Sequence, residues 1–112
     1  MSESVIELSK QLNKEILESD EYKKLRKYKK DLDKYPELRN SVQEFRKKNF
    51  QMHIENTGED MTAAMRLEGE YKELLSNPLV TAYLNAELNF CRIAQKVSKN
   101  ICRDIDIDLD FL

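Results

Sequence analysis

Four aspartates of the segment 104–112 alternate with apolar residues, a spacing that could supply carboxylate ligands to a metal ion. The pattern is that of the first half of a calcium-binding loop. Such a loop needs glycine at its sixth position, where this chain has Leu109, and no glutamate follows to complete the coordination. The spacing therefore argues against calcium. It favours an extended strap that packs its apolar side into a groove of its own or a neighbouring subunit, and the alternative is a frayed acidic tail.

The other residue types that serve catalysis or metal binding lack partners at a suitable spacing. His53 is the only histidine, so no second histidine accompanies it, and we interpret it as a helix-surface or boundary residue. No serine, cysteine or tyrosine can be assigned as a nucleophile activated by a histidine-based catalytic relay. The sequence also has no glycine-rich phosphate-binding loop. Acid pairs such as Asp20-Glu21 are expected at helix starts, where the helix dipole favours them. We therefore expect no enzymatic activity, no metal and no cofactor.

The two cysteines, Cys91 and Cys102, are expected to be free thiols. If both lie on the last helix, the eleven positions between them correspond to about 16 Å along its axis. A disulfide needs Cα atoms about 4.4–6.8 Å apart, so they cannot pair within that helix. A bridge between chains or a shared metal is the alternative.

A basic run on the expected second helix could bind a polyanion. The stretch 22–48 contains eleven basic and four acidic residues, a charge of +7 in a chain whose total is −2. Tyr22 and Tyr28 flank the run, and cations interleaved with aromatics can form a nucleic-acid surface. We interpret the run first as the solvated flank of an amphipathic helix, with RNA or an acidic protein surface as the alternative ligands. Its six cations, here called the basic face, are Lys23, Lys24, Arg26, Lys27, Lys29 and Lys30.

Composition and periodicity indicate one all-α domain. The chain has 112 residues, of which 36% are charged, and only two glycines and two prolines. Apolar residues recur at intervals of three and four, as on one side of a helix. No apolar run approaches the roughly 18 residues of a membrane span, and the N-terminus lacks the features of a secretory signal. We expect a cytoplasmic protein.

Capping signals divide the chain into about five helices. Ser19, Pro36 and the pair Asn77-Pro78 mark helix starts, Gly58 marks a helix end, and Gly69 predicts a close helix crossing. The predicted elements are a first helix over 1–18, a basic second helix over 20–34, a third over 36–56, a fourth over 60–76, a long last helix over 78–103 and an acidic-apolar tail over 104–112.

The last helix has more apolar surface than a lone helical hairpin can cover. Its first apolar row is Leu79, Tyr83, Ala86, Phe90, Ile93 and Val97, and its second apolar row is Val80, Leu84, Leu88 and Cys91. The second row widens the apolar side beyond a simple stripe and predicts Cys91 to be a core residue. We therefore expect an antiparallel bundle that dimerises through long helices, with the first row at or next to the dimer contact.

The order of these signals resembles the YlbF/YmcA family of small bacterial helical regulatory proteins, its YheA-like members included. The similarity extends over nearly the whole chain and rests on the order and spacing of short motifs. They are Ser19-Asp20-Glu21-Tyr22, Tyr35-Pro36-Glu37, Phe45, the break at Gly58, and the run from Asn77 to Glu87.

This resemblance implies an all-helical dimer with a regulatory role in the bacterial cytosol. Named members act in complexes with other proteins in competence, biofilm formation and sporulation, and they are linked to RNA processing through a membrane-anchored endoribonuclease. Some are associated with iron–sulfur clusters through cysteines. This chain departs from them, because Cys91 and Cys102 fall short of the four thiolates that a cluster takes.

Two functions follow as hypotheses. The first is a non-enzymatic, homodimeric helical adaptor that regulates by binding other proteins, with a ribonuclease complex among the candidate partners. The alternative is an RNA-binding module that uses the basic helix 22–34.

Overall fold

The computed structural model describes residues 2–55 and 61–105, and every regular element in these ranges is a helix. The all-α prediction is therefore confirmed for the described residues. The helices are α1 (Ser2–Leu17), α2 (Asp20–Asp33), α3 (Pro36–Glu55), α4 (Met61–Glu70), α5 (Lys72–Leu75) and α6 (Pro78–Cys102).

Local capping chemistry places the helix starts where the sequence predicts them. The Ser19 hydroxyl donates to the Ile16 carbonyl at 2.6 Å and accepts from the Tyr22 amide at 3.3 Å, so one side chain joins the end of α1 to the start of α2. Asn77 caps α6 by accepting from the amides of Leu79 at 2.9 Å and Val80 at 3.3 Å. These bonds satisfy amides that have no partner within the helix.

The predicted fourth helix, 60–76, is two helices in the structure. The chain leaves helical geometry at Tyr71, between α4 and α5. The ring of Tyr71 packs edge-on against Phe45 with centroids 5.3 Å apart, and its hydroxyl donates to Glu44 at 2.9 Å. Lys48 pairs with the same carboxylate at 3.2 Å. The break is thus held against α3 by residues far away in sequence.

The prediction of a close helix crossing at Gly69 is wrong. No heavy atom lies within 4 Å of the position that a β-carbon would take there. Because no neighbour needs the missing side chain, this glycine only weakens α4. The predicted helix end at Gly58 lies outside the described residues, as does the tail beyond Ile105.

A small core lies where α2, α3 and α6 meet. Leu32, Val42, Val80 and Tyr83 form one buried cluster, with half-buried residues of the same helices and Leu74 of α5 around it. Leu32 at the end of α2 lies near the start of α6, whereas Tyr22 at the start of α2 packs on Phe90 at 5.3 Å. Helices α2 and α6 therefore run antiparallel, and they make the most extensive contact in the described chain.

The dimensions of the chain are those of an extended molecule. Its principal extents are 52 × 34 × 17 Å and its radius of gyration is 17.6 Å, against about 13 Å for a compact domain of this length. The accessible surface is 9547 Å², whereas a folded monomer of 13.3 kDa exposes about 6,500 Å². About 3,000 Å² of surface therefore remains that a compact monomer would bury.

No helix within the described ranges is both long and apolar enough to cross a membrane.

Candidate interaction surface

An open apolar groove lies between the C-terminal half of α3 and the middle of α6. Its volume is about 500 Å³. Phe50 at its edge is 67% exposed and Leu88 is 49% exposed, so large apolar side chains line it without being covered. We call it the α3/α6 groove; the residues that line it are Phe45, Arg46, Asn49, Phe50, His53, Leu84, Glu87, Leu88 and Cys91.

A short polar network closes one side of the α3/α6 groove. Arg46 of α3 pairs with Glu87 of α6 at 3.0 Å, and the hydroxyl of Tyr83 donates to the same carboxylate at 3.0 Å. Burial raises the pKa of Tyr83, and the neighbouring Glu87 charge raises it further. The network ties α3 to α6 next to the core, and beyond it the apolar side chains of the groove stay open to solvent.

The prediction that Cys91 is a core residue is wrong. Its side chain is exposed and lines the α3/α6 groove. The second apolar row begins in the core at Val80 and then leaves it, because α3 does not pack closely on α6 at Leu88 and Cys91 and the open groove lies between the two helices there. Both cysteines are free thiols. Within residues 2–55 and 61–105, no three histidine, cysteine or acidic side chains gather in a way that could hold a metal ion.

The N-terminal half of α1 carries a second uncovered apolar surface. No residue of α1 is buried, and Val5 and Leu8 are 65% and 64% exposed. Leu12 and Ile16 lie one and two turns further along the same side and are half-buried. The main contact of α1 with another helix is its junction with α2. We call Val5, Leu8, Leu12 and Ile16 the α1 row.

The first apolar row of α6, predicted to border a dimer contact, faces its own chain over its N-terminal half. Tyr83 is buried with 5% exposure, Leu79 packs against the core, and Phe90 contacts Tyr22. Helix α2 of the same chain therefore covers this part of the row. Ala86, Ile93 and Val97 are half-buried. Their place at a dimer contact, like that of the whole row, stays a prediction.

The basic face lies in solvent along α2. All six of its cations are exposed, and five of them, all but Lys24, line an open surface depression together with Tyr22 and Asp33. Tyr22 packs on Phe90 and Tyr28 packs against the core, so both aromatic rings are engaged inside the chain. Because the two rings pack within the chain, this arrangement does not present them for stacking with nucleic-acid bases. The basic face is charged but not aromatic, and RNA binding stays a prediction.

His53 is exposed on α3, as predicted, but it lies beside apolar residues that the sequence analysis did not join into a surface. Phe50 and Leu88 belong to different helices and form one surface only because α3 and α6 run side by side here. A signal was present in the sequence: the third helix has an apolar side that Phe50 and Ile54 extend, beyond the stripe needed for its own core contact.

Comparison with known proteins identifies the family of this chain. The family model for "Control of competence regulator ComK, YlbF/YmcA" matches residues 5–106. The chain belongs to the YlbF/YmcA family. The resemblance expected from its motifs is thereby confirmed, and the family is associated with competence regulation.

Two relatives of this YlbF/YmcA-family chain come from one bacterial genus. A UPF0342 protein of Caldicellulosiruptor bescii is 27% identical over 106 residues, which cover 92% of this chain and 89% of the relative. A UPF0342 protein of Caldicellulosiruptor saccharolyticus is 25% identical over 107 residues, which cover 93% and 89%. No solved structure matches the chain. Both alignments extend over nearly the whole helical domain, so they relate entire chains rather than a shared motif.

Proposed function

We propose that this YlbF/YmcA-family chain is a non-enzymatic helical adaptor that forms a homodimer and regulates by binding other proteins in the cytoplasm. The observation that carries the proposal is the excess of exposed apolar surface on a chain that is otherwise regularly folded. On the described residues, Val5 and Leu8 of the α1 row and Phe50 and Leu88 of the α3/α6 groove belong to this exposed apolar surface. Contiguous apolar surface of this kind is typical of protein–protein contacts.

The amount of uncovered surface agrees with a dimer. A standard interface removes about 800 Å² from each partner, and permanent homodimers remove more. The excess of about 3,000 Å² per chain, polar and apolar surface together, is larger than that requirement. Apolar burial between two copies would add to the stabilisation that comes from the five buried apolar residues of the described ranges.

The perturbed titratable groups support a structural rather than a catalytic role. Hydrogen bonds from Tyr71 and Lys48 lower the pKa of Glu44, and bonds with Tyr71 and Glu44 raise the pKa of Lys48. Tyr83 is the third such group. Each shift arises from a contact between helices, which is a frequent cause of perturbed pKa values outside active sites.

Partner proteins would approach the basic face, which a dimer built on apolar contacts leaves in solvent. Exposed, clustered cations favour a partner with an acidic surface and speed its association. Regulatory proteins, including a ribonuclease complex, are the candidate partners that the family membership suggests.

The oligomeric state is tested by light scattering coupled to gel filtration at micromolar concentration. We expect a mass of about 27 kDa, twice the 13.3 kDa of the chain. A mass of 13.3 kDa over the whole concentration range would contradict the homodimer.

The adaptor role is tested by capture of partners from a lysate of the native host, followed by mass spectrometry. The variant Lys27→Glu/Lys30→Glu reverses two charges of the basic face, and Lys96→Glu/Lys99→Glu makes the same change at exposed positions of α6. We expect the first variant to lose the captured proteins and the second to keep them. Equal capture by both would contradict binding through the basic face.

A further inference from the structure

The α1 row and the α3/α6 groove match each other in length and character. The part of the row from Val5 to Leu12, of which Val5 and Leu8 are exposed and Leu12 is half-buried, comprises eight residues and rises about 10.5 Å along the helix. The groove extends from Leu84 to Cys91 along α6, also eight residues, and from Phe45 to His53 along α3, about 12 Å. An apolar helix face of two turns is thus present on the same chain as an apolar groove of two turns.

The chain does not use its own α1 to fill its own groove. The α2 helix occupies the first apolar row of α6, whereas the groove is formed on the second row, a different side of the helix. α1 joins the end of α2 that lies at Phe90, and its apolar residues Val5 and Leu8 remain exposed there. Both surfaces are consequently left for another chain.

We infer that helix α1 of a second copy lies in the α3/α6 groove, with its α1 row against Phe50, Leu88 and Cys91. This inference names the contact surfaces of the proposed homodimer, and it rests on that proposal. The contact follows the helix-in-groove mode, in which residues at i, i+3 and i+7 anchor an amphipathic helix. Val5, Leu8 and Leu12 have that spacing.

Exchange of α1 in both directions produces a closed assembly. In a two-fold dimer each chain offers the same two surfaces, so each α1 fills the groove of the other and no complementary pair stays open. One symmetric contact would thereby cover the exposed half of α1 and the exposed groove residues of α3 and α6 together. The groove also contains the polar residues Arg46, Asn49 and Glu87 beside its apolar side chains, as is usual for an interface rim.

The native thiol of Cys91 allows a direct test. In a Cys102→Ser background, we would introduce Val5→Cys, Leu8→Cys or Leu12→Cys one at a time and oxidise the folded proteins with diamide. We expect a covalent dimer on a non-reducing gel, with peptide mass spectrometry showing the new cysteine joined to Cys91. The position that reacts best also gives the direction of α1 in the groove.

Glu7→Cys and Lys14→Cys in the same background are the matched controls, because both lie on the opposite side of α1. We expect them to cross-link at least tenfold less than the best row position. Circular dichroism confirms that each variant is folded, and light scattering measures the molar mass of the reduced samples.

The outcomes separate this inference from the proposed homodimer. A reduced mass of two chains without row-specific cross-links to Cys91 would overturn the groove assignment and leave the homodimer standing. Cross-links confined to a single chain would show that α1 fills its own groove, which also overturns it. A monomeric mass without cross-linked dimer would overturn both proposals.

Discussion

At the scale of residues, Tyr83 connects the core to the polar network of the α3/α6 groove. Its ring is buried against Leu32 and Val80, and its hydroxyl reaches Glu87, which also holds Arg46 of α3. A tyrosine serves both purposes because its body is apolar and its hydroxyl is polar. The packing of α2, α3 and α6 against one another therefore depends on this one side chain.

The raised pKa of Tyr83 predicts a loss of stability at high pH. Because burial raises its pKa in the folded state, the folded protein holds the phenolic proton more tightly than the unfolded chain does. The contribution is fully present below the unfolded value of about 10 and is lost as pH rises above it. We expect the free energy of unfolding in urea to fall less steeply between about pH 9.5 and 11 in Tyr83→Phe than in the wild type.

The exposed Tyr35 provides the control for this measurement. Its side chain is 57% exposed, so Tyr35→Phe removes a tyrosine hydroxyl without uncovering the core and controls for the substitution itself. Lys48, whose pKa is also raised, contributes a similar loss to all three proteins and cancels in the comparison. Equal slopes for Tyr83→Phe and the wild type would show that burial of Tyr83 does not control this loss.

Residues whose role is local could be predicted from the sequence, whereas Cys91 could not. Ser19 and Asn77 cap helices through atoms two or three residues away, so their identities suffice. The burial of Cys91 depends on how closely α3 packs on α6, and the apolar spacing on one helix does not give the distance to a neighbouring helix.

At the scale of elements, the break between α4 and α5 shows how a distant contact overrides a continuous helical pattern. Tyr71 bonds to Glu44, 27 residues earlier, and packs on Phe45. The apolar spacing of 60–76 is helical throughout, yet the structure interrupts the helix at Tyr71. The sequence could not give the break because the residues that fix it belong to α3.

The open surroundings of Gly69 predict that a substitution there can stabilise α4 without disturbing neighbouring residues. The position is helical and open, so Gly69→Ala should raise the free energy of unfolding by about 0.5–1 kcal/mol, chiefly through the lower entropy of the unfolded chain. Urea denaturation followed by circular dichroism measures the change. Ala94→Gly, at an exposed position of α6, is the matched reverse substitution and should lower stability by about 1 kcal/mol. Destabilisation by Gly69→Ala would reveal a contact that a single chain does not make.

At the scale of the whole molecule, stability should depend on protein concentration. If two chains bury the surface that one chain exposes, mass action favours the folded dimer as concentration rises. We expect the midpoint of thermal unfolding to rise by several degrees between about 1 and 100 μM, as measured by scanning calorimetry. Gly69→Ala should shift the midpoint at every concentration and leave its dependence on concentration intact. A midpoint that does not change over this range would contradict coupled folding and assembly.

The class of the fold was predictable from composition and period, but the distribution of its uncovered surface was not. Intervals of three and four identify helices, and α2 and α6 each show an apolar side. Which sides meet depends on packing between helices far apart in the chain. The first apolar row of α6 was accordingly assigned to a partner, although α2 covers its N-terminal half.

The thinness of the molecule has a consequence for its evolution. The smallest extent is 17 Å, and among residues 2–55 and 61–105 only five apolar residues are buried, so most described side chains lie at a surface. Exposed helix positions accept many residue types at little cost in free energy. Relatives can therefore align over about nine-tenths of the chain while sharing only about a quarter of their residues. In such a fold, the order of helices and helix caps limits the divergence of the sequence more than the residue types of the core do.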